Sequence, residues 1–464
     1  MPGVRGAVLL IVPVAALLAV AVPAGPASGS ASGAQVKISL SQSICAPGSK
    51  LVISGSGFAP DGAMTASIDN RTTLGSGHAS SAGTFSLPVV LPGAAVLTPG
   101  VHVVRVVAGR QGGSASLTIA AGGWVSFGNG PAGDRTNANP WIGTAQAKKL
   151  VKRWGPVTGK LLVNSTPSVV QGVDYVGSFD FNVYALNAVT GVKLWSFPTG
   201  SLVESSPAVS GGVVYVGSDD DHVYALNAAN GAELWSYAAK GFVTSSPVVN
   251  NGVVYVGAKD GNVYALNAAT GALIWKFATH SRSSESSAAV ANGVVYVGSS
   301  DGHVYALKAS SGTKLWAFST GAAVSSSPAV SGGVVYVGSD DQSVYALNAA
   351  SGAKRWSFRT GGLVESSPAV ANGLVYVGSF DNRLYALNAA TGAKVWSYAT
   401  GREISSSPAV ANGVVYVGSW DYRVYAIDAA GGSFLWAGLT GNPVDSSPVP
   451  VNGMVYVGSY AFGM

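Results

Sequence analysis

The segment "GVVYVGSDDDHVYALNAANGAELWSY", Gly212 to Tyr237, holds short apolar runs of Val, Tyr, Ala and Leu separated by clusters of Gly, Asp and Asn. Such runs predict β-strands, and no helical period competes with them. In the repeats "SSPAV" reads as a first strand, followed by an Asn-Gly or Gly-Gly pair such as Asn251-Gly252 or Gly211-Gly212, which favours a tight hairpin turn. "VVYVGS" is the second strand. A turn holding Asp leads to the third, "VYALN", and "AATG" turns into the fourth, "LWSF". "VVYV" is apolar on both faces, which suits a sheet packed between two others.

The pattern then repeats. Its central Tyr recurs at Tyr175, Tyr215, Tyr255, Tyr296, Tyr336, Tyr376, Tyr416 and Tyr456, at intervals of 40 or 41 residues. Four antiparallel strands in each period describe one blade of a β-propeller. Seven repeats are complete, from "STPSVV" through Trp436, and the tail "SSPVPVNGMVYVGSYAFGM" supplies two strands of another. "KKLVKRWGPVTG" (148–159) is expected to return as the outer strand of that last blade, since a ring closed by both chain ends leaves no open edge. The predicted fold is all-β, an eight-bladed propeller over 148–464. Trp154, Trp195, Trp235, Trp275, Trp316, Trp356, Trp396 and Trp436 recur with the same period and are expected to dock flat on the neighbouring blade.

Upstream the rhythm differs. Arg5 precedes the apolar stretch "GAVLLIVPVAALLAVAVPAG", which gives way to small residues, so 1–34 reads as a secretory signal peptide. The alternative is an uncleaved anchor, against which Pro13 and Pro23 argue. After cleavage no stable membrane insertion is expected. Residues 35–120 carry β-rich runs between Gly, Pro and Ser clusters, as in a small sandwich. Residues 121–147 are expected to be a linker and lead-in. "SGSGFAP" (54–60), "AGTF" (82–85) and "PGVH" (99–102) resemble the immunoglobulin-like modules of bacterial exported proteins.

Composition narrows the function. The chain has 464 residues, 48% apolar and only 10% charged, with 62 Gly, which excludes a disordered protein. A net charge of +5 is not gathered into any basic run, so nucleic acid is not an expected partner. With Cys45 as the single cysteine, no intrachain disulfide can form. A secreted or extracytoplasmic monomer, held together by packing, is the expectation.

"ALNAATGALIW", Ala265 to Trp275, is similar to the tryptophan-docking repeat of quinoprotein-like propellers, Ala-x-Asp-x-x-x-Gly-x-x-x-Trp. Asn replaces the Asp in five of seven repeats, Lys308 in another, and Asp428 keeps the acid. This family includes alcohol and sugar dehydrogenases that use pyrroloquinoline quinone (PQQ) and calcium, and also non-enzymatic scaffolds. The resemblance to the enzymes lacks their adjacent cysteine pair and any insertion that could cap a substrate. No zinc, phosphate-loop or nucleophile-elbow motif is present. A non-catalytic binding or scaffold protein with a protein or cell-envelope glycan partner is therefore expected, without a cofactor. The alternative is a PQQ- and calcium-dependent dehydrogenase.

Two sets of variable positions carry the candidate sites. Around the turn acids Asp381 and Asp421 stand Phe380, Arg383, Trp420, Tyr422 and Arg423, expected as one interaction patch on the rim. The turn acids themselves, such as Asp220, are read as solvated groups bonding their own backbone. Before the Ser pair of alternate blades stand Glu204, Glu285, Glu365 and Asp445, expected to ring one mouth of the central channel. Such a ring favours a cation, calcium by preference, unless the acids splay into solvent and bind nothing.

Overall fold

The computed structural model describes residues 36–40, 44–45, 50–91, 100–109, 111–119, 126–130, 132–137, 143–150, 165–279, 281, 286–451 and 453–459. The predicted signal peptide, Trp154 and Glu285 lie outside them. The chain divides into two compact units, one ending at Gly122 and the other continuing from Gly123. Among the described residues no helix is long and apolar enough to cross a membrane.

The first unit is two packed sheets. Lys37–Leu40, Lys50–Ser56 and Phe85–Val90 form one; Ile44–Cys45, Gln111–Ile119, Gly100–Ala108, Ala63–Ile68 and Thr72–His78 form the other, in that order. Strand alternation places the core: Met64, Ala66 and Ile68 point inward to meet Leu51, Ile53, Phe85 and Leu117, while Ala63 and Thr65 face water.

The second unit is a β-propeller. Seven sheets each hold four antiparallel strands in chain order, as in Ala208–Ser210, Val213–Gly217, His222–Asn227 and Glu233–Ala238. We number these blades 1 to 7 along the chain; Val449–Val451 and Met454–Tyr456 form a two-stranded eighth. The inner strands close a ring that can be followed bond by bond. Ser206 N donates to Ser246 Oγ (3.0 Å), Ser246 N to Ser287 Oγ (2.9 Å), and so on through Ser327, Ser367 and Ser407. Ser407 N donates to Ser447 Oγ, Ser447 N to Thr166 Oγ1 (3.1 Å), and Thr166 N to Ser206 Oγ, so the circuit returns to its start.

Blade contacts explain the repeated residues. The indole of Trp195 donates to Ala228 O (2.9 Å) in the next blade and lies over Gly231, where an added Cβ would sit 2.6 Å from the ring. The same bond recurs from Trp235, Trp275, Trp316, Trp356 and Trp396. Gly217 has no room for a side chain either, since a Cβ there would lie 2.4 Å from Val243 O. The turn acids are more than solvated groups: Asp220 Oδ1 accepts its own loop's His222 N (3.1 Å), but Oδ2 accepts Tyr224 Oη (2.8 Å) and Gly200 N (2.6 Å), which precedes its blade.

Residues 126–130 and 132–137, in the stretch expected as linker and lead-in, pack on the inner strands: Val330 N donates to Ala132 O (2.9 Å), Val370 N to Asp134 O (2.9 Å) and Val410 N to Arg135 O (3.1 Å). Thr136–Asn137 adds a short parallel strand to Ala409–Ala411. Lys148–Leu150, expected to begin an outer strand, instead follow a single helical turn, Thr144–Ala147. Ala147 and Leu150 are buried there against Val414, Tyr416 and Leu435. The rest of that expected strand is outside the described residues.

Candidate functional site

Each inner strand opens with a hydroxyl pair whose two members do different work. The first, such as Ser205, accepts the N–H of its own blade's Gly217 (3.1 Å), locking the strand start. The second belongs to the hydroxyl ring and faces the axis. The residue before the pair then projects at the channel mouth. Glu204, Thr244, Ser325, Glu365, Ser405 and Asp445 accordingly rim a cavity of about 260 Å³, with the ring hydroxyls below them and Phe127 also in its lining. Three of the four predicted acids thus meet in one cavity. No group of three or more His, Cys, Asp or Glu among the described residues is arranged to hold a metal ion.

The residues of the expected rim patch differ in burial. Trp420 lines the cavity: its Nε1 donates to Asp445 Oδ1 (2.6 Å) and to Ser405 Oγ (2.9 Å), and Phe380 packs against it at 6.2 Å between ring centroids. Ser405 Oγ also donates to Asp445 Oδ1. Arg383, Tyr422 and Arg423 are exposed, outside that cluster. The position before the turn acid is thereby brought beside the mouth position of its own blade and of the next. Ser325 and Asp340 show the same pairing within one blade, at 3.5 Å. Asp219, at the corresponding place in blade 2, has its carboxyl pushed above the usual range by burial, with Lys259 opposing the shift.

The position after the turn acid is different in kind. Phe181 (φ +67°) and Tyr422 (φ +71°) hold left-handed backbone that Gly261 and Gly302 occupy in blades 3 and 4, and Asp221, Gln342 and Asn382 in blades 2, 5 and 6. Bulky aromatics are rare there. Both side chains stay in solvent, at 47% and 42% exposure.

Below the mouth the axis is filled by the chain itself. Arg135 is fully buried; its Nε donates to Pro408 O (2.8 Å), and its guanidinium lies 4.6 Å over the Phe127 ring while Nη1 donates to Phe127 O (2.5 Å). The void left between this segment and the inner strands is about 10 Å³, less than one water needs. The hydroxyl ring and Phe127 were not singled out from sequence. The ring did leave a signal, a Ser or Thr at the same place in all eight "SSP"-type starts. Phe127 left none, since it lies outside the repeats.

A family model described as outer membrane protein assembly factor BamB matches residues 179–317, 300–404 and 386–461. Among solved structures, BamB from Moraxella catarrhalis is 17% identical with a TM-score of 0.57, over 64% of this chain and 96% of that one. The quinohemoprotein alcohol dehydrogenase from Comamonas testosteroni is also 17% identical, with a TM-score of 0.63 over 74% and 81%. A computationally designed protein, Ika8, reaches 0.60 at 18% identity, over 65% and 95%. Likenesses at such identities show the fold alone. No curated protein matches the chain in sequence.

Proposed function

The chain belongs to the outer membrane protein assembly factor BamB family, and from that premise we propose that it is an extracytoplasmic, non-catalytic scaffold that presents one propeller face to a protein partner. The observation that carries this reading is the pair Phe181 and Tyr422, exposed aromatics at a left-handed backbone position that Gly, Asp, Gln or Asn fills in the other complete blades. Strain of about 1–3 kcal/mol persists where something offsets it, and binding surfaces are a usual place. Arg423 follows Tyr422 with exposed charge, Arg383 is exposed at the equivalent position of blade 6, and aromatics and arginines carry much of the energy at protein interfaces. Assembly with other proteins in an outer membrane is what the family's description suggests for the partner.

The dehydrogenase alternative has less support. PQQ carries three carboxylates, whereas the mouth holds Glu204, Glu365 and Asp445 with no Lys or Arg among its described lining residues. Like charges in a confined space oppose that cofactor. Deeper along the axis, the packing of Phe127 and Arg135 leaves no room for a planar ring system. The residues present do not fit the group.

The test is cross-linked capture from envelope extract with the wild type and with a Phe181→Gly, Tyr422→Gly variant. The variant should melt no lower than wild type, because glycine accepts the left-handed form, yet should lose most of the captured partner. Undiminished capture would reject this surface; a lower melting temperature would mean that the aromatics serve the fold.

A further inference from the structure

The sequence holds no run of basic residues, yet the ring brings cations from three repeats together. The third and fourth strands of blades 4, 5 and 6, with the turns that join them, span 303–319, 343–359 and 383–399 and carry seven cations and no acid. That exceeds the net charge of +5 of the whole chain. The same segments of the other four complete blades hold Lys193, Lys276 and Arg423 against Glu233 and Asp428. All seven cations are exposed, and among the described residues none takes part in an ion pair.

Register places them. Lys314, Lys354 and Lys394 each open a fourth strand and pair with Leu307, Leu347 and Leu387. Equivalent positions in the blades of one ring stand at one height, so these three share the end of the propeller where third strands turn into fourth. Lys308 closes the third strand of blade 4 at that end, and Arg355 follows Lys354. The hairpin turns between first and second strands lie at the same end and add no charge, being Asn292-Gly293, Gly332-Gly333 and Asn372-Gly373. The acids of these blades stand at the opposite end: Asp301, Asp340, Asp341 and Asp381 around the turns before the third strands, and Glu365 at the channel mouth. Phe181 and Tyr422, each following a turn acid, belong to that opposite end as well.

The residue types say what fits the basic end. Four of its five cations are Lys, a hydrated point charge on a flexible stem that imposes no bidentate geometry. Protein interfaces are depleted in Lys and enriched in aromatics. Here the exposed large apolar side chains beside the cations are aliphatic, Leu315 and Val395, each 50% exposed. Mobile cations spread over neighbouring blades, with aliphatic groups between them, match a layer of anionic headgroups above acyl chains.

We propose that this end of blades 4 to 6 rests on an anionic lipid surface, with Lys308, Lys314, Lys354, Arg355 and Lys394 among the headgroups. The contact is peripheral and puts no segment across the bilayer. It is independent of the partner surface at Phe181 and Tyr422, which it leaves facing away from the lipid.

Vesicle co-sedimentation of the full chain tests this, with vesicles of phosphatidylcholine alone and of phosphatidylcholine carrying phosphatidylglycerol. The chain should bind the anionic vesicles about tenfold or more tightly than the neutral ones. Raising salt from about 0.1 M to about 1 M should release it, because the screening length falls from about 10 Å to about 3 Å. Lys314→Gln with Lys354→Gln and Lys394→Gln should weaken binding to the anionic vesicles about tenfold or more. Arg359→Gln with Arg383→Gln, at the opposite end of the same strands, should change it less than about twofold. The substituted side chains are all exposed, where changes seldom alter stability. The proposal is overturned by absent binding to the anionic vesicles, by equal binding to the neutral ones, by unchanged binding of the lysine variant, or by equal losses in the two variants. Saturable binding of soluble polyglutamate with none of the vesicles also overturns it, and would assign the surface to an acidic protein.

Discussion

Asp174 stands where the other seven blades carry a fully buried Val, Val214 and Val455 among them. Both its carboxylate oxygens are enclosed without a partner, and its charge acts on Tyr456 of blade 8, across the joint that closes the ring. Burial pushes its carboxyl up to about 8. An unfolded chain releases this proton in the ordinary carboxylate range, so from there to about pH 8 the folded state holds more protons than the unfolded one. Stability is therefore greatest at low pH and falls as pH rises through that window, by up to about 1.4 kcal/mol per pH unit. Asp174→Val should flatten this slope. At pH 5 it should also add about 1–3 kcal/mol by removing an unsatisfied buried group. Urea unfolding at pH 5, 7 and 9 checks both; parallel curves for wild type and variant would show that the carboxyl is solvated. A second residue-scale departure costs nothing: Asn187 replaces the family's Asp, yet its Oδ1 still accepts Val189 N (3.0 Å) and Thr190 N (2.9 Å). The turn needs an acceptor oxygen, not a charge.

At the scale of the blade, one contact is repeated around the ring, the indole on the neighbour's glycine. Trp356 is 8% exposed, donates to Ala389 O (2.9 Å) and lies over Gly392, where a Cβ would be 2.7 Å from the ring. Trp356→Ala should cost about 3–5 kcal/mol, the range for large buried aromatics. Gly392→Ala should also destabilise, through that clash and through its φ of +73°. In the Trp356→Ala background the clash is gone and only the backbone term remains. A double-mutant cycle by denaturant unfolding should then show a coupling of about 1 kcal/mol or more. Additive losses would mean that the two residues do not share the joint.

For the whole molecule, the ring is held at its rim by blade contacts and on its axis by a segment from outside the repeats. Deleting 126–137 should leave the amides of Val330, Val370 and Val410 without the acceptors they have in Ala132, Asp134 and Arg135. Hydrogen exchange should show these amides protected in the full chain and fast in the deletion variant, with a lowered melting temperature. Unchanged protection would mean that the segment only rests on the channel. The blades and their docking indoles were legible in the sequence because each satisfies the same local packing problem every 40 or 41 residues, and repetition writes that solution out. Asp174, the one "VDYV" among the "VVYV"-type strands, was not singled out from the sequence. What the sequence alone could not settle were meetings between distant positions. Trp420 joins Ser405 and Asp445 only because adjacent blades converge on an axis, and convergence is a property of the closed ring. Arg135 reaches Pro408 across 273 residues, from a stretch with no period and no alternation to announce it. Patterns of period record what an element needs from its neighbours; which side chains end up sharing the enclosed space at the centre is decided by how many elements close the circle and what the rest of the chain puts inside it.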